Sequence, residues 1–176
     1  MARFYVVSGG PCSGKTTLIK YLESKGFPVL HETARKLVEK GILKKEDFLD
    51  KNKRDFIQRV IFKEQIRAEE SVLSYPFVFL DRSVVDGIAY YWIINLEPPR
   101  EMIEIASKRN YECIFILEQL DKFEKDEVRY EEPEEAKKVH ELIVRAYNML
   151  GYKTIRIPVM PVKDRAILIL KNIELL

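Results

Sequence analysis

Apolar residues follow two alternating rhythms along the chain. Short, nearly continuous runs at Arg3–Ser8, Pro28–His31, Phe77–Leu80, Tyr111–Leu117 and Tyr152–Ile157 predict strands buried on both faces. Between them, apolar residues recur at helical spacing. Lys15–Lys25 predicts a helix closed by Gly26, and Thr33–Lys40 one stopped by Gly41. Lys53–Ser74 predicts a long helix with Phe56, Ile57, Val60, Ile61 and Ile66 as its apolar stripe. Ser83 is the expected cap of a helix reaching Leu96, and another runs from Pro98 to Lys108. Pro133, followed by Glu134 and Glu135, suits the first turn of a helix that carries Val139, Leu142, Ile143, Ala146 and Leu150 and ends at Gly151. A last helix starts at Val162. This alternation predicts an α/β domain whose parallel sheet is covered by helices on both faces. Such a sheet binds ligands beyond the carboxyl ends of its strands.

Composition narrows the picture further. The 176 residues are 47% hydrophobic and 33% charged, which fits one globular domain with no linker or repeat. Thirty basic residues against 28 acidic ones leave a net charge of +2, so no broad nucleic-acid footprint is expected. Cys12 lies in a glycine-rich loop and Cys113 in an apolar run, a placement that suggests no disulfide and points to a reducing compartment. No leader-like segment opens the sequence, and the most apolar tracts, Ala89–Leu96 and Ala166–Leu170, are too short to cross a bilayer. The expectation is a cytoplasmic protein without membrane insertion.

The strongest chemical signal follows the first strand. Gly9-Gly10-Pro11-Cys12-Ser13-Gly14-Lys15-Thr16 fits G-x-x-x-x-G-K-S/T without a gap, between a predicted strand and a predicted helix. Glycines let backbone N–H groups turn inward around an anion, and the helix start adds its positive end. Lys15 is placed to bridge the outer two phosphates of a nucleoside triphosphate, Thr16 to coordinate Mg²⁺, and Thr17 to reach an inner phosphate. The nucleotide expected is ATP, with GTP also compatible.

The third strand ends in Asp81-Arg82-Ser83. An acid at that tip lies near the terminal phosphate, where Asp81 could hold the magnesium through water or take a proton from an acceptor hydroxyl. Arg82 could neutralise charge on the transferring phosphate. Asp86 faces the same region, but Ser83–Asp86 also matches a capping box, in which Asp86 only closes the helix start.

With these pieces together, the run VVSGGPCSGKTTLIKYLESKGFPVLHETAR resembles P-loop kinase-like proteins classed as AAA-ATPase-like domains. These are close to ribosylnicotinamide kinase domains and more distant from deoxynucleoside and thymidylate kinases. Glu32-Thr33-Ala34-Arg35, Asp81 through Asp86, and Val128-Arg129-Tyr130-Glu131 are the matching segments, so the likeness covers nearly the whole chain. The resemblance implies a three-layer fold with strand order 2-3-1-4-5 and a lid after the fourth strand, around 119–132. It also implies a catalytic carboxylate at Asp81 and a phosphate-binding arginine at Arg82. The separate adenylyltransferase domain fused to some ribosylnicotinamide kinases has no counterpart in this sequence.

Glu32 and Arg35 follow the second strand on the acceptor side, as substrate ligands or as an ordinary surface ion pair. Gln58 and Arg59 lie on the long helix expected to wall the acceptor pocket, and Tyr90, Tyr91 and Trp92 offer stacking or core packing. Lys122, Lys125 and above all Arg129 are the lid cations expected to meet the transferring group. The apolar loop Ile157–Val162 is the expected rest for the base. Asn52–Asp55 spells N-K-x-D, but it precedes a helix rather than following a late strand, so it is discounted. His31 and His140 lack metal-ligand spacing and read as structural or surface residues. The first expectation is a phosphotransferase moving the γ-phosphoryl of ATP to a small nucleoside- or nucleotide-like acceptor. A nucleotide-switched binding protein and a plain NTPase are the alternatives.

Overall fold

The computed structural model describes residues 2–120 and 133–174. Five strands, β1 (Arg3–Ser8), β2 (Val29–Leu30), β3 (Phe77–Asp81), β4 (Tyr111–Leu117) and β5 (Thr154–Ile157), form one sheet in the order β2-β3-β1-β4-β5. Every pairing is parallel. Among the described residues, seven α-helices connect and cover them: α1 (Lys15–Ser24), α2 (Thr33–Glu39), α3 (Arg54–Ser71), α4 (Asp86–Ile93), α5 (Arg100–Lys108), α6 (Pro133–Met149) and α7 (Val162–Asn172). The order is the one the resemblance implied.

The apolar strand runs are explained by two-sided burial. Along β1, Phe4 and Val6 enter one core with Ile88 and Ala89 of α4 and Ile143 and Ala146 of α6. Tyr5 and Val7 enter a second core with Leu18, Ile19 and Leu22 of α1 and Ala166 and Ile169 of α7. The period-2 alternation of a strand feeds both cores, so no polar face survives in the sequence.

This division fixes where a ligand can bind. β1 and β3 are neighbours, yet the chain leaves β1 into α1 on one face and leaves β3 into α4 on the other. The two connections diverge and open a crevice at the strand ends, the switch-point geometry of doubly wound sheets.

Several predicted boundaries shift. β2 is two residues rather than four; Pro28 has no N–H to donate, although its carbonyl still accepts the Phe79 amide. β5 begins at Thr154 rather than Tyr152. α4 starts at Asp86, because Ser83–Val85 form a turn first. It ends early, as Asn95 takes a left-handed conformation and Leu96 donates back to the Tyr91 carbonyl. The α3 stripe is the one expected at Ile57, Val60, Ile61 and Ile66 but not at Phe56. Ile57 is buried against α2, but Phe56 is 60% exposed. Cys12 and Cys113 are buried and form no disulfide. Among the described residues, no helix is long and apolar enough to cross a membrane.

Candidate active site

The phosphate loop hangs from the carboxyl end of β1. Gly9 has φ +135°, and a Cβ there would stand 2.6 Å from the Leu117 carbonyl oxygen of β4. Gly14, at φ +82°, turns the chain into α1. Leu18 N–H bonds the Gly14 carbonyl, so the preceding helical amides have no partner within the helix. No acidic residue occupies this first turn, which leaves its positive end uncompensated. Lys15 is buried across the loop, donating to the Gly10 carbonyl at 2.7 Å and to Ser13 Oγ at 3.1 Å. Thr16 is half-buried and Thr17 exposed.

The loop is braced from distant parts of the chain. Gln119 Nε2 donates to the Pro11 carbonyl at 3.1 Å, and Leu120 N–H to the Cys12 carbonyl at 3.0 Å. Arg165 of α7 donates to the carbonyls of Ser13, Glu118 and Pro158. His140 of α6 accepts the Gly10 N–H at 3.1 Å. Gln119 and Leu120 lie in a segment the sequence marked, as the first two residues of the expected lid. His140 and Arg165 were missed. Both sit inside buried helical stripes, with Ala136, Val139 and Ile143 in α6 and with Ala166 and Ile169 in α7. A titratable residue at a stripe position was the available signal. His31, by contrast, is the surface histidine expected, paired with Glu23 at 3.0 Å.

Across the crevice, Asp81 is the last residue of β3, in register with Val7. It is 2% exposed, and its Oδ1 is buried without a hydrogen-bond partner. Burial, and next the charge of Glu32, push its carboxyl up to about 6, against the pull of Lys15 and Arg82. Burial likewise brings the Lys15 ammonium down to about 7, with Arg82 adding to the shift and Asp81 opposing it. These mutual influences place Lys15, Asp81, Arg82, Glu32 and Asp86 in one electrostatic unit.

Arg82 is its hub. Its φ of +71° is unusual for a side-chain-bearing residue and turns it from the strand toward β2. There Nε donates to Glu32 at 2.9 Å and Nη1 to Asp86 at 3.3 Å, with the guanidinium 5.4 Å from the centre of the Tyr90 ring. Burial opposes the Glu32 charge, but Arg82 and then Lys15 hold its carboxyl below the ordinary range. Asp86 combines both readings left open by the sequence. It accepts the Ser83 N–H at 3.1 Å as a capping residue, and it also accepts Ser8 Oγ at 2.6 Å and the Tyr147 hydroxyl at 2.5 Å. A buried brace lies beneath: Gln65 accepts from Thr33 and donates to Glu69 and to the Arg82 carbonyl, tying the start of α2 to the end of β3.

The crevice continues as a cleft of about 360 Å³. Lys15, Thr16, Glu32, Arg82 and Asp86 line it together with the apolar side chains of Ile57, Ile61, Phe62 and Ile93 and the Tyr90 ring. Arg35, 3.9 Å from Glu32, and Gln58 also line it. Arg59 does not; it pairs with Asp55 at 2.9 Å. Tyr91 is core and donates to Asp55, while Trp92 packs under Arg145. Asp55 is thereby committed to local contacts, in agreement with discounting N-K-x-D. Lys122, Lys125 and Arg129 lie outside the described residues.

A divalent cation here has a limited donor set. Among the described residues, no group of three or more His, Cys, Asp and Glu could hold one. The Thr16 hydroxyl and the orphaned Asp81 oxygen fit an ion that keeps most of its water and leans on substrate phosphates, as Mg²⁺ does.

The same fold occurs in solved kinases. A NadR protein in complex with NR superposes with a TM-score of 0.70 at 20% identity, covering 97% of this chain and 50% of that one. The chain thus spans half the NadR length. Deoxyadenosine kinase from M. mycoides with bound dATP gives 0.68 at 11% identity over 97% and 99% of the two chains. Thymidylate kinase from Candida albicans gives 0.69 at 14% identity over 99% and 92%. Comparison with curated protein sequences gives no match. At these identities the structures establish the fold, while the AAA domain model matches residues 4–165, nearly the whole chain, and the protein therefore belongs to the AAA domain family.

Proposed function

We propose that the protein is a Mg²⁺-dependent kinase that transfers the γ-phosphoryl group of ATP to a hydroxyl of a small, nucleoside-like acceptor. The observation that carries this reading is the position of Asp81. A buried carboxyl with an unpartnered oxygen lies in the same electrostatic unit as the phosphate-loop lysine and as Glu32, Arg82 and Asp86, which line the cleft.

The carboxylates favour a hydroxyl as the reacting group. Glu32 and Asp86 line the cleft and Asp81 shares their electrostatic unit, so a hydroxyl bound beside them would find acceptors for its proton. Apolar walls suit a ring or another weakly polar body.

The amides of the loop and Lys15 hold the polyphosphate, whose charge restores the ammonium that burial disfavours. When bound, Mg²⁺ at Thr16 and Asp81 would offset charge on the bridging phosphate oxygens. Asp81, or Glu32 beside it, takes the acceptor proton as the new O–P bond forms and the bond to the β-phosphate oxygen breaks, releasing ADP. Arg82, held by Glu32 and Asp86, neutralises charge on the transferring group. Arg35, Gln58 and the cleft face of Asp86 orient the acceptor, and Arg129 completes the charge shell from the lid.

The test is ADP formation from Mg·ATP with and without a panel of nucleosides, nucleoside monophosphates and hydroxylated vitamin precursors. At least one hydroxyl acceptor should raise a slow basal rate about a hundredfold or more. A rate indifferent to every acceptor would replace this reading with that of an NTPase or nucleotide switch.

A further inference from the structure

The Nδ1 atom of His140 accepts the Gly10 N–H at 3.1 Å in a buried contact. A Cβ on Gly10 would lie 2.7 Å from His140 Cβ and 2.9 Å from the Ala136 carbonyl, so α6 closes directly on the loop. The Gly10 carbonyl meanwhile receives Lys15 Nζ and Ser13 Oγ. Both backbone groups of Gly10 are therefore engaged, one of them by a titratable ring. An accepting Nδ1 is unprotonated, so the ring is neutral with its hydrogen on Nε2. Nε2 is buried, has no hydrogen-bond partner, and stands 3.5 Å from a Glu118 carboxylate oxygen.

We propose that His140 is a positioning residue for nucleotide binding, whose neutral ring holds Gly10 so that the loop amides converge on the polyphosphate and whose protonation releases that hold. A protonated Nδ1 would point a donor at the Gly10 donor. The charged groups facing the ring are Glu118 at the end of β4, Arg156 of β5, Lys15 of α1 and Glu141 of α6 itself. Burial is the largest influence and keeps the imidazole below its ordinary value of 6.5, with Glu118 opposing it. A group required in its neutral form contributes fully above about 6.5 and fails as pH falls through its lowered native value. The inference rests on nucleotide binding at the loop and is independent of the acceptor.

The experiment is calorimetric titration of a non-hydrolysable ATP analogue with Mg²⁺ between pH 5 and 8, using wild type, His140→Asn and His140→Phe. The analogue's own titration is common to all three. Asn can present Oδ1 near the position of Nδ1 without titrating. His140→Asn should bind within about threefold of wild type at pH 7.5 and lack the additional wild-type loss below pH 6.5. His140→Phe should bind about tenfold more weakly across the range, because the Gly10 amide loses its acceptor. Superimposed pH profiles for wild type and His140→Asn would overturn the proposal, as would unchanged affinity in a folded His140→Phe. If the Phe variant does not fold, the Asn profile alone decides. Wild-type protein that bound no nucleotide at any pH would remove the loop reading itself, and this inference with it.

Discussion

Around the phosphate loop, the bracing contacts end on backbone atoms. His140 takes the Gly10 N–H, while Gln119 and Arg165 reach the carbonyls of Pro11 and Ser13. Beside the cleft, contacts run between charged side chains, with Arg82 shared by Glu32 and Asp86 and with the Asp81 carboxyl pushed up. Lys15 belongs to both regions. A backbone-built cradle recognises any polyphosphate and is preorganised for it. A charge-built cluster instead stores shifted acidities that suit proton transfer. Changes in the first region should therefore act on binding, and changes in the second on turnover.

The largest separation of the two should come from Arg82→Lys. The charge survives, but the fork that joins Glu32 to Asp86 is lost. Turnover should fall about a hundredfold, with ATP affinity nearly unchanged by calorimetry. An equal loss of affinity would show that the two regions are not distinct. Lys15→Ala is the complementary case. ATP affinity should fall by about ten- to a hundredfold, since a buried charge-assisted contact is removed; unchanged affinity would break the account of the loop.

A smaller effect concerns stability without nucleotide. Asp81 has a native value of about 6 against an ordinary 3.8, so the folded state holds the proton more tightly than the unfolded chain. Its favourable contribution is present below pH 4 and is lost as pH rises through 6. Asp81→Asn should thus stabilise the nucleotide-free protein by about 1–3 kcal/mol at pH 8 and leave it nearly unchanged at pH 4, as read by thermal melting at both values. A stabilisation independent of pH would mean that the buried carboxyl is not strained by its surroundings.

The two regions also differed in how far the sequence disclosed them. The glycines, Lys15 and Thr16 are contiguous, and their identities follow from the turn they must make, so the loop was legible from a short motif. Asp81 and Arg82 were legible because a strand end in a parallel sheet is a predictable place. The partners that secure them were not. His140 lies 130 positions from Gly10, and Arg165 lies 152 from Ser13. No local spacing encodes such contacts; only a titratable residue within an apolar stripe hints at them. Gln65 and Glu69, one turn apart on α3, resemble an exposed polar face, yet they are buried because Thr33, Tyr111 and the Arg82 carbonyl satisfy them. Phe56 erred in the opposite direction: helical periodicity defines a stripe, but the neighbouring helix decides which edge of it is covered.

The most direct test of the central claim is turnover by Asp81→Asn, measured with saturating Mg·ATP and an accepted hydroxyl substrate. If Asp81 acts beside the phosphate loop, the rate should fall by about 10²–10⁴ while the folded protein still binds ATP within a few-fold of wild type. Turnover at the wild-type rate would contradict the account and leave the loop as a nucleotide site whose chemistry lies elsewhere.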